Sequence, residues 1–309
     1  MTEINDKKVV ITGGTGFLGQ AVAQRLESLG CRVTIVSRNP PKGSHSGRWV
    51  GWDGRSLGEW AEALNGATAV VNLAGRTVDC KKTPDHCDEI LRSRVDSVHA
   101  VGEALRRCDN PPAVWVQMAT AHIYGDPPDS ICDESAAIGY GLAPLVGGRW
   151  ESAHEQACPP SVRSVVLRTS FVLGNTGGAF PVLKRLARFG LGGKIASGKQ
   201  WVSWLHVDDM VAILLRAIRD ETMRGVYNAT APQAATNRQF MRALRKAMRM
   251  PIGLPAAGWM VRLGAATVMN TDPDLVLYGR SVVPKRLLEE GYQFKHGELD
   301  RALSDLVAA

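Results

Sequence analysis

No run of this 309-residue chain is apolar over the roughly 18 residues that a membrane span needs, so no membrane partner is expected. The opening MTEINDKK has no apolar h-region, which argues against a secretory signal. Cysteine is sparse and scattered, at positions 31, 80, 87, 108, 132 and 158. Cys80, His86 and Cys87 form a brief cluster, but no second ligand pair follows at a zinc-site spacing. A cytoplasmic protein with reduced thiols and no metal is therefore expected. Acid is also in deficit: 37 Lys and Arg against 30 Asp and Glu leave a net charge of +7. Part of the excess lies on an expected helix, Asn237–Met250, with Arg238, Arg242, Arg245, Lys246 and Arg249 on one face and Phe240, Met241, Leu244 and Met248 on another. No aromatic or glycine-rich nucleic-acid module accompanies these arginines, so they read as a solvated helix face and no nucleic-acid partner is expected. Acidic small molecules, cofactor phosphates included, are reason enough for some positive excess.

What the chain does have is concentrated at residues 7–19, KKVVITGGTGFLG. A β-rich run, Lys7–Thr12, meets closely spaced glycines, and a helix pattern follows with Leu18, Val22, Leu26 and Leu29 on one face. The glycines read as Gly14-x-Gly16-x-x-Gly19 and equally as Gly13-x-x-Gly16-x-x-Gly19. Glycine permits a positive φ in the turn and lets the backbone approach a pyrophosphate, which the helix N-terminus then attracts. Strand, glycine loop and helix together point to a bound dinucleotide. The second strand, Arg32–Ser37, is followed by Arg38, where an NAD-preferring site usually has a carboxylate for the ribose 2′-OH. A hydroxyl and a guanidinium at Ser37 and Arg38 suit a 2′-phosphate instead, so the expected cofactor is NADP(H).

Further β-like runs at Arg48–Trp52, Ala69–Leu73, Ala113–Ala119 and Val162–Arg168 alternate with helical stretches near Leu57–Leu64, Asp85–Arg107 and Gly148–Ala157. This alternation predicts a parallel sheet covered on both faces, with ligands outside the carboxyl ends of the strands. The post-strand segments are Asn72-Leu73-Ala74-Gly75, Met118 to Gly125 (MATAHIYG), Arg168 to Gly174 (RTSFVLG) and Trp201 to Asp209 (WVSWLHVDD). With TGGTGFLG they resemble the extended short-chain dehydrogenase/reductase superfamily nearly end to end. Residues 177–211 and the ending VPKRLLEEGYQF narrow the resemblance to its atypical "epimerase family" branch, whose members carry a small C-terminal module. The resemblance implies an α/β fold, a Rossmann-type doubly wound parallel sheet with a smaller C-terminal substrate lobe. Residues 1–175 would form the dinucleotide-binding domain, with a return segment near 205–230, and 176–309 the lobe and module. It further implies cofactor contacts at Gly13, Thr15, Gly16, Phe17, Leu18, Gly19, Ser37, Arg38, Leu73, Ala74, Gly75, Arg94, Ala119, Ser170 and Val172, and by analogy a homodimer through the long helices. An exposed helix arginine is the competing reading of Arg94.

In typical relatives a Tyr-x-x-x-Lys pair does the acid–base work, and a Ser or Thr hydroxyl orients the substrate oxygen. Thr120 matches that hydroxyl, but none of the five tyrosines here has a lysine four residues on. Registering the helix on Glu155 puts Gly147 in the tyrosine's place and Glu151 in the lysine's, beside Trp150. Replacements for the tyrosine include His122 and His206, which titrate near neutral pH, and Tyr140 in a flexible-looking segment. Glu151 joins them if burial lifts its pKa. Each has a plainer reading: His206 bonded within the fold, His122 on a surface loop, Glu151 paired with an arginine such as Arg149. Trp201 and Trp204 are expected to shape or lid the pocket, with core packing as the alternative, and the 190–198 segment to be a mobile loop over the cleft. A helix is expected at Ala256–Met269, strand pieces at Gly279–Pro284 and Gly291–Phe294, and a final helix at Gly297–Leu306. Two functions stay open. One is an NADP(H)-dependent oxidoreductase or epimerase-type enzyme acting on a small carbonyl, hydroxyl or nucleotide-sugar substrate. The other is a catalytically silent NADPH sensor.

Overall fold

The computed structural model describes residues 5–41, 47–127, 130–264 and 272–308. Its strands in chain order are β1 (Lys8–Thr12), β2 (Arg32–Ser37), β3 (Arg48–Gly51), β4 (Ala69–Asn72), β5 (Val114–Thr120), β6 (Ile131–Cys132), β7 (Arg163–Thr169), β8 (Phe171–Leu173), β9 (Trp201–Val202), β10 (Trp204–His206), β11 (Gly225–Ala229), β12 (Ala235–Thr236) and β13 (Ser281–Val282). Seven of these form one parallel sheet in the order β11-β7-β5-β4-β1-β2-β3. The strand order reverses at β1, between β4 and β2, which opens a crevice at the carboxyl ends there. The inner strands β1, β4 and β5 are buried runs rich in valine, as a sheet covered on both faces requires. The remaining strands are short and pair in twos: β8 with β10, β9 with β12, and β6 with β13.

The helices are α1 (Phe17–Ser28), α2 (Pro84–Arg107), α3 (Leu142–Ala157), α4 (Phe180–Arg188), α5 (Val207–Arg219), α6 (Asn237–Ala247), α7 (Gly258–Gly264), α8 (Asp274–Leu277), α9 (Lys285–Glu289) and α10 (Leu299–Ala308). α1 packs with α5, and α2 with α3, so that the sheet is wrapped by two helix pairs. Past residue 175 the chain does two things. It returns α5 and β11 to the sheet, and it builds a second core in which Phe180, Trp204, Phe240, Leu244 and Leu303 meet. Trp204 is thus a core residue of α4, α6 and α10, not a lid.

Several elements differ from expectation. α3 begins at Leu142, six residues before the expected Gly148, because packing on the 121–124 turn outweighs the poor helix propensity of Gly147 and Gly148. The stretch near 57–64 is a 3-10 helix, Glu59–Leu64. The 190–198 segment is tied down: Gly193 N–H donates to Leu254 O, Ala196 N–H to Ala256 O, and Ile195 N–H to the Asn237 side chain. The helix expected at 256–269 is α7, with 265–269 outside the described residues. Gly291–Phe294 forms no strand, and the basic helix ends at Ala247.

Gly102 marks the closest approach of the α2–α3 pair, since a Cβ there would lie 2.6 Å from both the Cβ and the carbonyl oxygen of Ala157. Gly102→Leu should therefore lower unfolding stability by about 1–3 kcal/mol. Urea denaturation of the variant checks this, and an unchanged midpoint would contradict the packing.

Candidate functional site

The glycine loop separates into two kinds of glycine. At Gly13 (φ +70°) a Cβ would sit 2.7 Å from the Leu73 carbonyl carbon; at Gly14, 2.9 Å from Ile35; at Gly19, 2.5 Å from the Gly14 Cα. Protein packing alone requires those three. Gly16 is different: it is exposed, and its Cβ would meet nothing closer than Gly13 O at 3.5 Å. It caps α1 in an extended conformation without any side-chain cap, which leaves the first N–H groups of the helix open toward the crevice. A pyrophosphate fits this cradle, and a simple strand–helix turn would not need glycine at 16. Thr15 spends its carbonyl on the Gln20 side chain. The Phe17 ring packs under the glycines at 174, 177 and 178, so Phe17 and Leu18 offer the crevice their backbone N–H groups at the helix start.

At the end of β2 the Ser37 hydroxyl donates to Asn39 O (2.7 Å) and accepts from Trp49 Nε1 (3.1 Å). It shapes the turn. Arg38 is exposed and pairs with no carboxylate among the described residues, which leaves its guanidinium free for a phosphate.

A buried polar chain crosses the next three strand ends. Thr12 Oγ1 donates to Asn72 Oδ1 (2.6 Å), Asn72 Nδ2 to Gln117 Oε1 (3.0 Å), and Gln117 Nε2 to Met118 O (2.8 Å). Asn72 Oδ1 also accepts from Ala74 N–H at 3.1 Å, which fixes the Leu73-Ala74-Gly75 turn. Against Gly75 lies Arg94, whose guanidinium carbon would be 3.4 Å from a Cβ there. Its Cζ stands 5.0 Å from the Trp150 ring centroid, and Nη1 donates to Ile90 O (2.9 Å). Among the described residues no carboxylate pairs with it, and burial pushes its pKa down to about 10. Arg94 is thus a desolvated cation on the cleft side of α2, not a solvated helix arginine.

Thr120 ends β5 with its hydroxyl oxygen accepting from His122 N–H (3.2 Å). Gly147 of α3 faces it: a Cβ there would lie 3.1 Å from Ile123 and 3.3 Å from the Thr120 methyl. The wall at Gly147 is closely packed. His122 is half-buried, and burial together with the Arg280 charge pushes its pKa down to about 3, so the ring is neutral. Ala119 and Val172 are buried behind this wall, and the Ser170 hydroxyl donates to Ala229 O (3.3 Å).

Three proton-transfer candidates are corrected. Glu151 is not a free base: Arg168 Nε and Nη2 each donate to one of its oxygens at 2.8 Å, and Arg168 Nη1 also donates to Tyr124 Oη (2.8 Å). The pair forms with Arg168, not Arg149. His206, 2% exposed, faces the C-terminal segment: its Nδ1 accepts from Asp208 N–H (3.0 Å) to cap α5, and its ring stacks on His296 at 3.8 Å. Tyr140 is 99% exposed, clear of the wall. His206, His296 and Asp305 bring ligand-type atoms within 4.8 Å of one another. Yet the Nδ1 lone pair of His206 is already used as an acceptor, so Nε2 carries the proton and points it toward Asp305 Oδ2 (3.3 Å). A metal-bound histidine donates from its other nitrogen, the reverse of this arrangement. Sequence reasoning missed Arg168 and Arg280. Arg168 opens the RTSFVLG segment and Arg280 stands in no motif, and the surroundings of both come from distant segments.

Comparison with known proteins is consistent with this geometry. The profile of the "NAD dependent epimerase/dehydratase family" matches residues 9–230, and that of a "Domain of unknown function (DUF1731)" matches 256–306. Epimerase family protein SDR39U1 of Mus musculus is 34% identical over 306 residues, covering 97% of this chain and all of that protein. The crystal structure of human SDR39U1 (isoform 2) with NADPH superposes with a TM-score of 0.86 at 32% identity, over 97% of this chain and 99% of the other. MoeE5 in complex with UDP-glucose and NAD has a TM-score of 0.77 at 19% identity, over 97% of each chain, and shares the fold.

Burial also pushes His154, which stacks edge-on to Trp115, down to about 4. Both His122 and His154 thus have folded pKa values below the unfolded value of about 6.5. The unfolded chain binds protons that the native state refuses, so stability is full above pH 6.5 and falls as the pH drops toward 4. Melting temperatures across pH 4–7 should fall accordingly, and His154→Gln should flatten the slope. A pH-independent melting temperature would rule this out.

Proposed function

The chain belongs to the NAD dependent epimerase/dehydratase family, and from that premise we propose an NADPH-dependent oxidoreductase or epimerase-type enzyme working without the usual tyrosine. The observation that carries this is the open cradle at Gly16, the one glycine of the loop that protein packing does not require. Human SDR39U1, similar over the whole chain, holds NADPH in its crystal structure. When bound, the nicotinamide supplies or withdraws hydride; everything else falls to the protein. The N-terminus of α1 takes the pyrophosphate, and Arg38 the 2′-phosphate. Arg94, over Gly75 and stacked on Trp150, brings to the ribose side the positive charge that a lysine would bring in typical relatives. Thr120 offers its hydroxyl proton to the substrate oxygen, and water replenishes it. His122, being neutral, holds the turn through its backbone N–H.

The substrate is a small carbonyl or hydroxyl compound or a nucleotide sugar. Residues 1–175 serve the cofactor and 176–309 the substrate. A homodimer through α2 and α3 and a reducing, cytoplasmic setting for the six free thiols complete the proposal. The packing around Gly147 favours one second reading, a silent NADPH sensor, because no acid stands where the tyrosine would be.

Calorimetry with NADPH, NADP⁺, NADH and NAD⁺, coupled to absorbance on a carbonyl and sugar-nucleotide panel, separates the two readings. NADPH oxidation on any substrate establishes the enzyme, while tight binding without turnover supports the sensor. Arg38→Ala should weaken NADPH about 10- to 100-fold and leave NADH nearly unchanged; equal loss for both would remove Arg38 from the 2′-phosphate. Thr120→Ala should abolish turnover while retaining NADPH affinity, and unimpaired turnover would remove Thr120 from the reaction.

A further inference from the structure

Among the described residues, the half-buried Arg163 and the buried Arg168 are well supplied with partners. Arg163 donates to the carbonyls of Ala217, Ile218 and Met223, and Arg168 to Glu151, Tyr124 and the Glu134 carbonyl. Arg280 breaks this pattern. It is 9% exposed, its Nε is buried without a hydrogen-bond partner, and its guanidinium makes no hydrogen bond or ion pair among the described residues. Burial pushes its pKa down to about 10, against the opposing pull of the Asp126 carboxylate. An unpaired buried charge costs several kcal/mol, so a fold carrying one holds a site for the opposite charge.

The backbone around Arg280 is fixed from three sides. Gly279 N–H donates to Asp126 Oδ1 (2.7 Å), and the Asp126 charge acts on Arg280 without forming a hydrogen bond or ion pair with it. Arg280 O accepts from Ser203 Oγ (2.7 Å), and Val282 N–H donates to the same hydroxyl (2.9 Å). Any side chain at Gly279 would overlap the Trp201 backbone. β13 then pairs with β6, and Val282 packs with Ala121, Ile123 and Tyr124 on the turn that follows Thr120. In an extended run Arg280 lies on the same side as Val282, so it faces this turn, where its charge acts on His122. The segment lies inside the match to the domain of unknown function.

We propose that Arg280 is the anion-recognition residue of the substrate pocket: the C-terminal module completes the site by presenting one desolvated guanidinium to a carboxylate or phosphate group on the substrate. This rests on the cofactor reading above, with Thr120 as the reaction wall. A guanidinium with its fork unspent binds either group through two parallel N–H bonds, and desolvation beforehand strengthens the pairing. Substrates lacking an anionic group leave this charge unpaired and are rejected.

The test uses the full chain saturated with NADPH, titrated calorimetrically with malonate and with inorganic phosphate. At least one probe should bind with millimolar affinity, and which one binds tells a carboxylate substrate from a phosphorylated one. Arg280→Gln should weaken that probe by about tenfold or more, Arg280→Lys by less, and Arg242→Gln on the basic helix not at all. NADPH affinity, measured in the same samples, should stay within about twofold. The melting temperature of Arg280→Gln should hold or rise, because removing an unpaired buried charge relieves a cost, whereas Arg168→Gln should melt lower. Equal probe binding by wild type and Arg280→Gln, or none by wild type up to about 20 mM, overturns the proposal while leaving the cofactor reading intact. Loss of NADPH binding in Arg280→Gln also overturns it, by giving the guanidinium to the cofactor. Failure of the wild type to bind NADPH would instead defeat the underlying reading.

Discussion

The cleft depends on one buried amide. Asn72 accepts from Thr12 on one side and donates to Gln117 on the other, while its oxygen also takes the Ala74 N–H. Three strand ends and the turn leading to Gly75 are thereby fixed relative to one another, at the point where the strand order reverses. Hydrophobic packing between strands is indifferent to small slips along their length. A chain of hydrogen bonds between fully buried side chains is not, because breaking any link leaves a desolvated polar atom at about 1–3 kcal/mol. The polar chain therefore sets the register of the glycine loop against the Leu73 turn, where Gly13 already makes backbone contact.

Around this frame the arginines divide by what faces them. Arg163 and Arg168 are bonded on all sides and act as struts. Arg38, Arg94 and Arg280 form no ion pair among the described residues: Arg38 follows β2, Arg94 lies against Gly75, and the Arg280 charge acts on His122 in the turn after Thr120. Guanidinium groups left without an ion pair along a crevice favour anionic ligands there, in keeping with the chain's net charge of +7.

The central sheet was legible in the sequence because its signals are local. Valine-rich runs of four to seven residues, glycine turns and amphipathic stretches each report on their own neighbourhood, and β1 to β5 and β7 fall within a residue or so of expectation. The start of α3 was not legible: Gly147 and Gly148 lower local helix propensity, and only the contact with Ile123 reveals why they are tolerated. Glu151 was visible as an oddity, but its partner is 17 residues away on a strand, and sequence proximity pointed to Arg149 instead. His206 looked like a pocket residue from its place after a strand. Its role as a helix cap depends on the direction of one ring nitrogen, which no spacing encodes. Arg280 carried no signal at all, since a missing partner is a property of three-dimensional surroundings.

Gly147 also links the cleft wall to the helix behind it. The first carbon of any side chain there would come within 3.1 Å of Ile123 and 3.3 Å of the Thr120 methyl, so both neighbours would have to give by a few tenths of an ångström. Any shift of α3 that relieved this contact would be passed on to Trp150 beside Arg94 and to Glu151 against Arg168. One glycine thus couples the wall beside Thr120 to two arginines, so that volume added at the wall is felt at both guanidinium groups.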